Sequence, residues 1–310
     1  MPAVPREPYP WARVAFSCLL VLAAWAAAMH RAEPTRIPAA LRAAQDWAFA
    51  KTWLRIGPAC AREIAGLARP LWAQAQGRVF ELGPGTGDHL PLLPHDGRGR
   101  VQGIAAYVVA EPNAHLHPRL AARAARAGFA VRYDPATCPG AAPDAGSAES
   151  ESEPPPPPPL VIVNATLDGG PAHVPAAIRA HAPYDYVLAS QVLCSVRDVQ
   201  ATLQAVHALL APRGRLVFVE HVAHTDEADA TVDAQYAPGS LDLRLWRAVQ
   251  RAADYVWPAV AGNCHLARDT AAAIAAMPGW ASVEYRTRRR TGSLRFSLAP
   301  IVYGIATKAP

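Results

Sequence analysis

The chain has 310 residues, 51% hydrophobic and 18% charged, a balance that supports a sizeable core and excludes wholesale disorder. Its net charge of +5 comes from scattered arginines, with Lys51 and Lys308 the only lysines, and lacks interleaved aromatics, so no nucleic-acid surface is expected. Cys18, Cys60, Cys138, Cys194 and Cys264 lie far apart, without a Cys-x-x-Cys pair or zinc-like spacing; this argues against a disulfide framework, for a reducing compartment, and for no metal.

The first feature along the chain is an uncharged apolar run from Val14 to Met29, with Arg6 and Arg13 before it and His30, Arg31 and Arg36 after it. As a helix it spans about 24 Å, short of the ~30 Å hydrocarbon core. It reads as a retained membrane anchor, as a signal peptide cleaved near Ala26-Ala27-Ala28, or as a buried helix. Its place ahead of any domain, with Pro34 and Pro38 behind it, favours the anchor. The expected organisation is an anchor over residues 1–36, a helical lead-in over 37–77 and one domain over 78–310. In the lead-in, Leu41, Ala44, Trp47 and Ala48, then Ile64, Leu67, Ala68, Leu71 and Trp72, fall at helical spacing, and Pro58 and Pro70 are expected to divide it. Its aromatics read as core packing, with a cover over a substrate or a membrane contact as alternatives.

Strands and helices then alternate. Strands are predicted over Arg78–Leu82, Ala106–Ala110, Leu160–Val163, Tyr184–Ala189 and Arg215–Glu220, and helices over Leu116–Ala127 and Arg197–Leu210, the latter stopped by Pro212-Arg213-Gly214. This alternation implies an α/β fold with a doubly wound, mostly parallel sheet. Residues 135–159 interrupt it with nine prolines and Glu149, Glu151 and Glu153, a composition that builds no core and reads as a disordered surface insertion. Alternation along Val283–Arg289 reads as a strand with one solvated face, its arginines having anionic lipid as the alternative contact.

The chemistry-bearing sites fall at the ends of the predicted strands. Glu81-Leu82-Gly83-Pro84-Gly85-Thr86-Gly87 places three glycines after the first strand, where a ligand can approach the backbone. A dinucleotide fingerprint would need a small residue where Asp88 stands. Glu111 ends the second strand, and its two oxygens suit two neighbouring hydroxyl donors such as those of a ribose. Asp168, after the third strand, is either an acceptor for a nucleobase amine or a turn-former. His221, after the fifth strand, is a candidate proton acceptor or a packing residue. His265 and Arg268 line an entrance or, more simply, cap a helix starting near Asp269; Cys194 and Cys264 read as small buried hydrophobes.

The Glu-x-Gly-x-Gly-x-Gly run resembles the first motif of class I S-adenosylmethionine methyltransferases. Tyr184 to Val196, with its Val192-Leu193-Cys194-Ser195-Val196 core, is similar to a segment of the thiol S-methyltransferases of the methyltransferase-like seven group. Leu210 to Arg215, Glu220-His221-Val222-Ala223, Gly262-Asn263-Cys264-His265-Leu266-Ala267-Arg268 and Ile301 to Ala306 match that group in order, and its members also carry an N-terminal hydrophobic anchor. The resemblance covers roughly residues 78–308 apart from the insertion; Pro84 and the insertion depart from it. It implies a Rossmann-like seven-stranded sheet and S-adenosylmethionine held by Glu81, Gly83, Gly85, Gly87, Glu111, Thr166, Asp168, Ser190 and Gln191. It further implies His221 on the catalytic side, a small lipophilic acceptor, most simply a thiol, and a membrane-anchored enzyme whose catalytic domain faces the cytosol at the endoplasmic reticulum. A lipid or quinone acceptor, or a non-catalytic scaffold, are the alternatives.

Overall fold

A computed structural model describes residues 39–139, 156–225, 241–288 and 300–310. The expected anchor, most of the proline-rich insertion, and Arg289, Arg290 and Arg295 lie outside the described residues. Among the described residues no helix is long and apolar enough to cross a membrane.

The described chain runs α1 (Ala39–Trp72), β1 (Gly77–Leu82), β2 (Ile104–Ala110), α2 (His117–Arg126), β3 (Ala130–Tyr133), β4 (Pro159–Val163) and α3 (Ala176–Ala180). It continues through β5 (Tyr184–Ser190), α4 (Val199–Leu209), β6 (Leu210–His221), α5 (Leu241–Asp254), α6 (Trp257–Val260), α7 (Thr270–Ala276), β7 (Trp280–Arg288) and β8 (Ile301–Lys308). The strands form one sheet in the order β3-β4-β2-β1-β5-β6-β8-β7. Pairings from β3 to β6 are parallel, and β8 runs antiparallel between β6 and β7. Both faces are covered, which is why the central strands are near-continuous apolar runs. Phe80, Val108, Val187 and Phe218 pack on one face with α4 and α7; Val79, Tyr107, Leu188 and Val217 pack on the other with α1 and α2. Strand order reverses beside β1, whose neighbours are β2 and β5, and this opens a crevice at the carboxyl ends where α/β sheets bind ligands.

Three expectations are corrected. The sheet has eight strands rather than seven, because Ala130–Tyr133 adds a short parallel edge beside β4. Helix α1 is continuous through Pro58 and Pro70. Its second half buries Ile64, Ala68 and Trp72 completely against the sheet, and that packing holds the helix where local preference would break it. Helix α4 ends at Leu209, and Leu210 already pairs with Tyr184; after a register shift Arg215 continues the ladder beside Tyr186, so β6 starts earlier than expected. At the described ends of the insertion, residues 135–139 form a turn on Asp134, and Pro159 opens β4 opposite Ala130. Glu284, Arg286 and Arg288 are exposed along β7, as the solvated-face reading requires.

Gly304 explains its own identity. It lies opposite Phe218 of β6 and Tyr285 of β7, whose rings approach to 6.5 Å between centroids. A Cβ there would stand 2.2 Å from the Glu284 carbonyl oxygen and 2.6 Å from Tyr285 Cβ. Gly304→Ala is therefore expected to destabilise the protein by about 1–3 kcal/mol through overpacking. Denaturant unfolding followed by circular dichroism checks this; an unchanged midpoint would show that β7 yields freely.

Candidate functional site

The crevice is built on the loops after β1, β2, β4, β5 and β6. After β1 the chain turns through Gly83 and Gly85, both left-handed with φ near 60°, a conformation that favours glycine. Side chains there would also meet neighbours: a Cβ on Gly83 would lie 2.4 Å from Val192 Cγ2, and one on Gly85 2.8 Å from Trp53 Nε1. Trp53 of α1 thus lies over the turn, stacked on Phe49 at 5.6 Å. Helix α1 is tied down nearby, since Gln45 Nε2 donates to the Ala259 carbonyl at 2.6 Å and Asn113 Nδ2 to that of Asp46 at 2.9 Å. Of the lead-in aromatics, Trp72 takes the core role, Trp53 lies against the turn, and Trp47 is exposed.

Glu111 is buried at the end of β2. Its Oε2 accepts from the Gly85 N–H and its Oε1 from the Asn113 N–H, both at 2.9 Å, so the carboxylate fastens the glycine turn to the neighbouring strand. Glu81 is sealed beneath, its Oε2 accepting from Tyr107 Oη at 2.7 Å. Asp88, which replaces the small residue of a dinucleotide fingerprint, bonds Thr86 and pairs with Arg123 Nη1 at 2.5 Å. Burial pushes the carboxyls of both Glu81 and Glu111 up to about 7.

Gln191 adopts a left-handed φ of 53° just after β5. Ser190 Oγ and Gln191 Nε2 are buried without a hydrogen-bond partner among the described residues. Two orphaned polar groups beside a glycine turn that admits no side chain, with Glu111 on the other flank, suit a polar ligand laid over the turn.

Loop 192–196 is clamped from both sides. Glu220 Oε1 accepts from the N–H groups of Val192 and Leu193 at 3.0 and 3.1 Å. Arg268 Nη1 donates to the carbonyls of Leu193, Cys194 and Val196 at 2.9, 2.9 and 2.6 Å. Asn263 Nδ2 and the His265 N–H add bonds to the Ser195 and Cys194 carbonyls at 2.6 and 2.9 Å. The capping expectation for Arg268 is corrected: Asp269 itself caps α7 through the Ala272 N–H, and the Arg268 guanidinium holds the loop. His265 instead leans on Asp254, 3.7 Å away.

The structure brings Glu81, Gly83, Gly85, Gly87, Glu111, Ser190 and Gln191 around the turn. Thr166 is exposed on the loop after β4. Asp168 lies in the turn at 168–169 on that loop, and its Oδ1 accepts from the distant Arg197 N–H at 2.8 Å. His221 is buried at the end of β6, with Nε2 3.0 Å from Cys264 Sγ. Sequence reasoning missed Trp53 and the loop-holding roles of Arg268 and Glu220. Glu220 had a signal, a lone charge closing the apolar run Leu216-Val217-Phe218-Val219.

A family model described as "Methyltransferase domain" matches residues 53–268. The rat (Rattus norvegicus) thiol S-methyltransferase TMT1B is 33% identical over 91 residues, 29% of this chain, so the chain matches under a third of that relative, 31% of its length. Among solved structures, the N-methyltransferase NodS from Bradyrhizobium japonicum WM9 in complex with S-adenosyl-l-homocysteine is 13% identical, with TM-score 0.43 over 80% of this chain and 86% of that one. The putative methyltransferase solved with the Trm112 activator of Haloferax volcanii is 11% identical, with TM-score 0.46 over 84% and 98%.

Burial lifts the Glu220 carboxyl from an ordinary 4.5 to about 7. The folded state then binds this proton more tightly than the unfolded chain. Its stabilising effect is complete below about 4.5 and is lost as pH rises through about 7. Glu220→Gln keeps an oxygen for Val192 and Leu193 and removes the titration. Relative to the parent, its stability between pH 5 and 7 is expected to fall less steeply, by up to ~1.4 kcal/mol per pH unit. Urea denaturation of both proteins across that range measures the difference, and parallel curves would remove Glu220 from the linkage.

Proposed function

Because the chain belongs to the methyltransferase-domain family, we propose that it transfers a methyl group from S-adenosylmethionine to a small lipophilic thiol, giving a methyl thioether and S-adenosylhomocysteine. The observation that carries the cofactor half is the glycine turn fastened to Glu111, with the orphaned Ser190 Oγ and Gln191 Nε2 beside it. When bound, S-adenosylmethionine supplies an electrophilic methyl on a sulfonium. Gly83, Gly85 and Gly87 would let its amino-acid end lie on the backbone. Each Glu111 oxygen already accepts one N–H and has capacity for a ribose hydroxyl. Glu81, Thr166 and Asp168 complete the assigned set as a buried support and an outer loop.

The acceptor half is supported by the likeness to the rat thiol S-methyltransferase. A thiol also suits the residues at hand, since it ionises readily and asks less of a base than a hydroxyl does. His221 borders the acceptor side, its imidazole turned toward Cys264. Phe49 and Trp53 offer an apolar cover above the turn. An anchor over residues 1–36, holding the enzyme on the cytosolic face of the endoplasmic reticulum, belongs to the same reading, because apolar acceptors partition there.

Gly85→Val is expected to abolish cofactor binding, and Glu111→Ala to weaken it by about 1.5–3 kcal/mol. Isothermal titration with S-adenosylmethionine tests both, and unchanged affinity in folded variants would remove these residues from the site. Hydroxyl donors favour the ionised carboxylate, so wild-type affinity should rise as pH increases through about 7, the range to which burial lifts Glu111.

Turnover against matched thiols, phenols and quinols should be confined to the thiols. Methylated phenols or quinols would favour the oxygen or carbon chemistry, and cofactor binding without any turnover the scaffold. Deleting residues 1–36 should move the protein from carbonate-washed membranes to the soluble fraction and spare activity on a water-soluble thiol. A deleted form that stays with the membrane would place the attachment elsewhere.

A further inference from the structure

Three side chains from separate parts of the sequence meet beside the glycine turn. Cys194 lies in the clamped loop after β5, His221 ends β6, and Cys264 follows α6. Their ligating atoms all lie within 4.8 Å of one another, and His221 Nε2 is 3.0 Å from Cys264 Sγ. A tetrahedral zinc site with Zn–S and Zn–N bonds of ~2.3 and ~2.0–2.1 Å has ligand-to-ligand edges of about 3.5–3.8 Å, so small side-chain shifts would close this cluster on an ion.

The surroundings suit a soft cation better than free thiols. Cys194 Sγ makes long contacts, at 3.5 Å, to the Gln191 carbonyl and Ser195 Oγ, and it also meets the side chains of Cys264 and His221. Trp257 Nε1 donates toward Cys264 Sγ at 3.3 Å, a bond that strengthens when the sulfur is a thiolate. The backbone carrying Cys194 is already fixed by Arg268 and by His265 N–H, and pre-fixed ligands hold a metal without ordering cost. Two sulfurs and an imidazole select zinc over magnesium or calcium.

We propose that Cys194, His221 and Cys264 hold a zinc ion through three protein ligands, leaving the fourth position for the acceptor sulfur. Loading the ion displaces the two cysteine thiol protons to solvent, with no change of oxidation state. An acceptor thiol entering the fourth position likewise releases its proton to solvent and binds through a sulfur lone pair as a zinc thiolate. Cys264 is only half-buried, which gives the acceptor a way in. The cluster shares its loop with the glycine turn's neighbour: Val192, two residues before Cys194, is the side chain that a Cβ on Gly83 would strike. The three-residue metal site stands on geometry alone, whereas the role of its fourth position rests on the thiol reading above.

The test uses the full chain, purified under reducing conditions, stripped with a chelator and titrated with cobalt(II) alone as the probe. The expected result is about one cobalt per chain with the intense sulfur-to-cobalt charge-transfer absorption of a tetrahedral thiolate site, and about one zinc per chain by elemental mass spectrometry of unstripped protein. Cys264→Ser and His221→Ala should lower affinity by more than the ~10–100-fold of a lost outer-shell partner, while Cys60→Ala should leave it unchanged. A folded wild-type chain that binds no cobalt overturns the proposal whether or not the variants fold. Binding that survives both substitutions, or a Cys194–Cys264 disulfide found by non-reducing peptide mapping of fresh protein, also overturns it. Adding a lipophilic thiol should shift the cobalt spectrum, and a phenol of the same shape should not. A spectrum indifferent to the thiol overturns the role of the fourth position and leaves the metal site. Thiol turnover by metal-free protein overturns the zinc proposal and leaves the proposed function standing.

Discussion

An irregular stretch of backbone runs through the interior at the carboxyl end of β5, and the pairing of its polar groups is the constraint on which the site depends. Residues 192–196 make no ladder with a neighbouring strand, yet Leu193 and Cys194 are almost wholly buried. Their amides and carbonyls must be satisfied locally, because a buried unpaired backbone group costs about as much as a lost hydrogen bond. Glu220 takes the N–H groups and Arg268 the carbonyls. The loop is thereby held between an acceptor from β6 and a donor from the segment just before α7. The close approach of Val192 to Gly83 and the meeting of Cys194 with His221 and Cys264 both involve that clamped loop.

The same device recurs along the carboxyl edge of the sheet. Parallel strands end together there, and each releases a loop whose first amides point inward. Glu111 accepts from the loop of the strand beside it, and Glu81 braces the floor through Tyr107. Burial raises all three glutamates to about 7, so this edge is costly in its charged form. A ligand offering hydroxyls would lower that cost at Glu111 while using capacity the free protein does not need.

The alternation of elements was legible because both faces of the sheet are covered. Strands such as Ile104–Ala110 read as unbroken apolar runs, and helices as periodic ones. The eighth strand was not legible, since Ala130–Tyr133 is four residues long and only partly buried at an edge. The continuity of α1 was hidden for the opposite reason: two prolines signal breaks locally, and only the burial of Ile64, Ala68 and Trp72 overrides them. Within the site, the glycine turn and Glu111 were readable because their chemistry is local to one strand end. Asp168 was ambiguous in sequence, and the structure turns its carboxylate to the backbone at Arg197.

By itself, then, the sequence determined the α/β class and the residues of the glycine turn at the carboxyl edge of the sheet. Those features follow from hydrophobic period and strand-end chemistry within a few residues of one another. Tertiary structure alone decided that Trp53 covers Gly85, that Arg268 serves the loop rather than a helix end, and that Cys194, His221 and Cys264 share one point. No local spacing encodes these meetings, because each joins elements whose proximity is set by the strand order of the sheet and by the pairing demands of a buried loop.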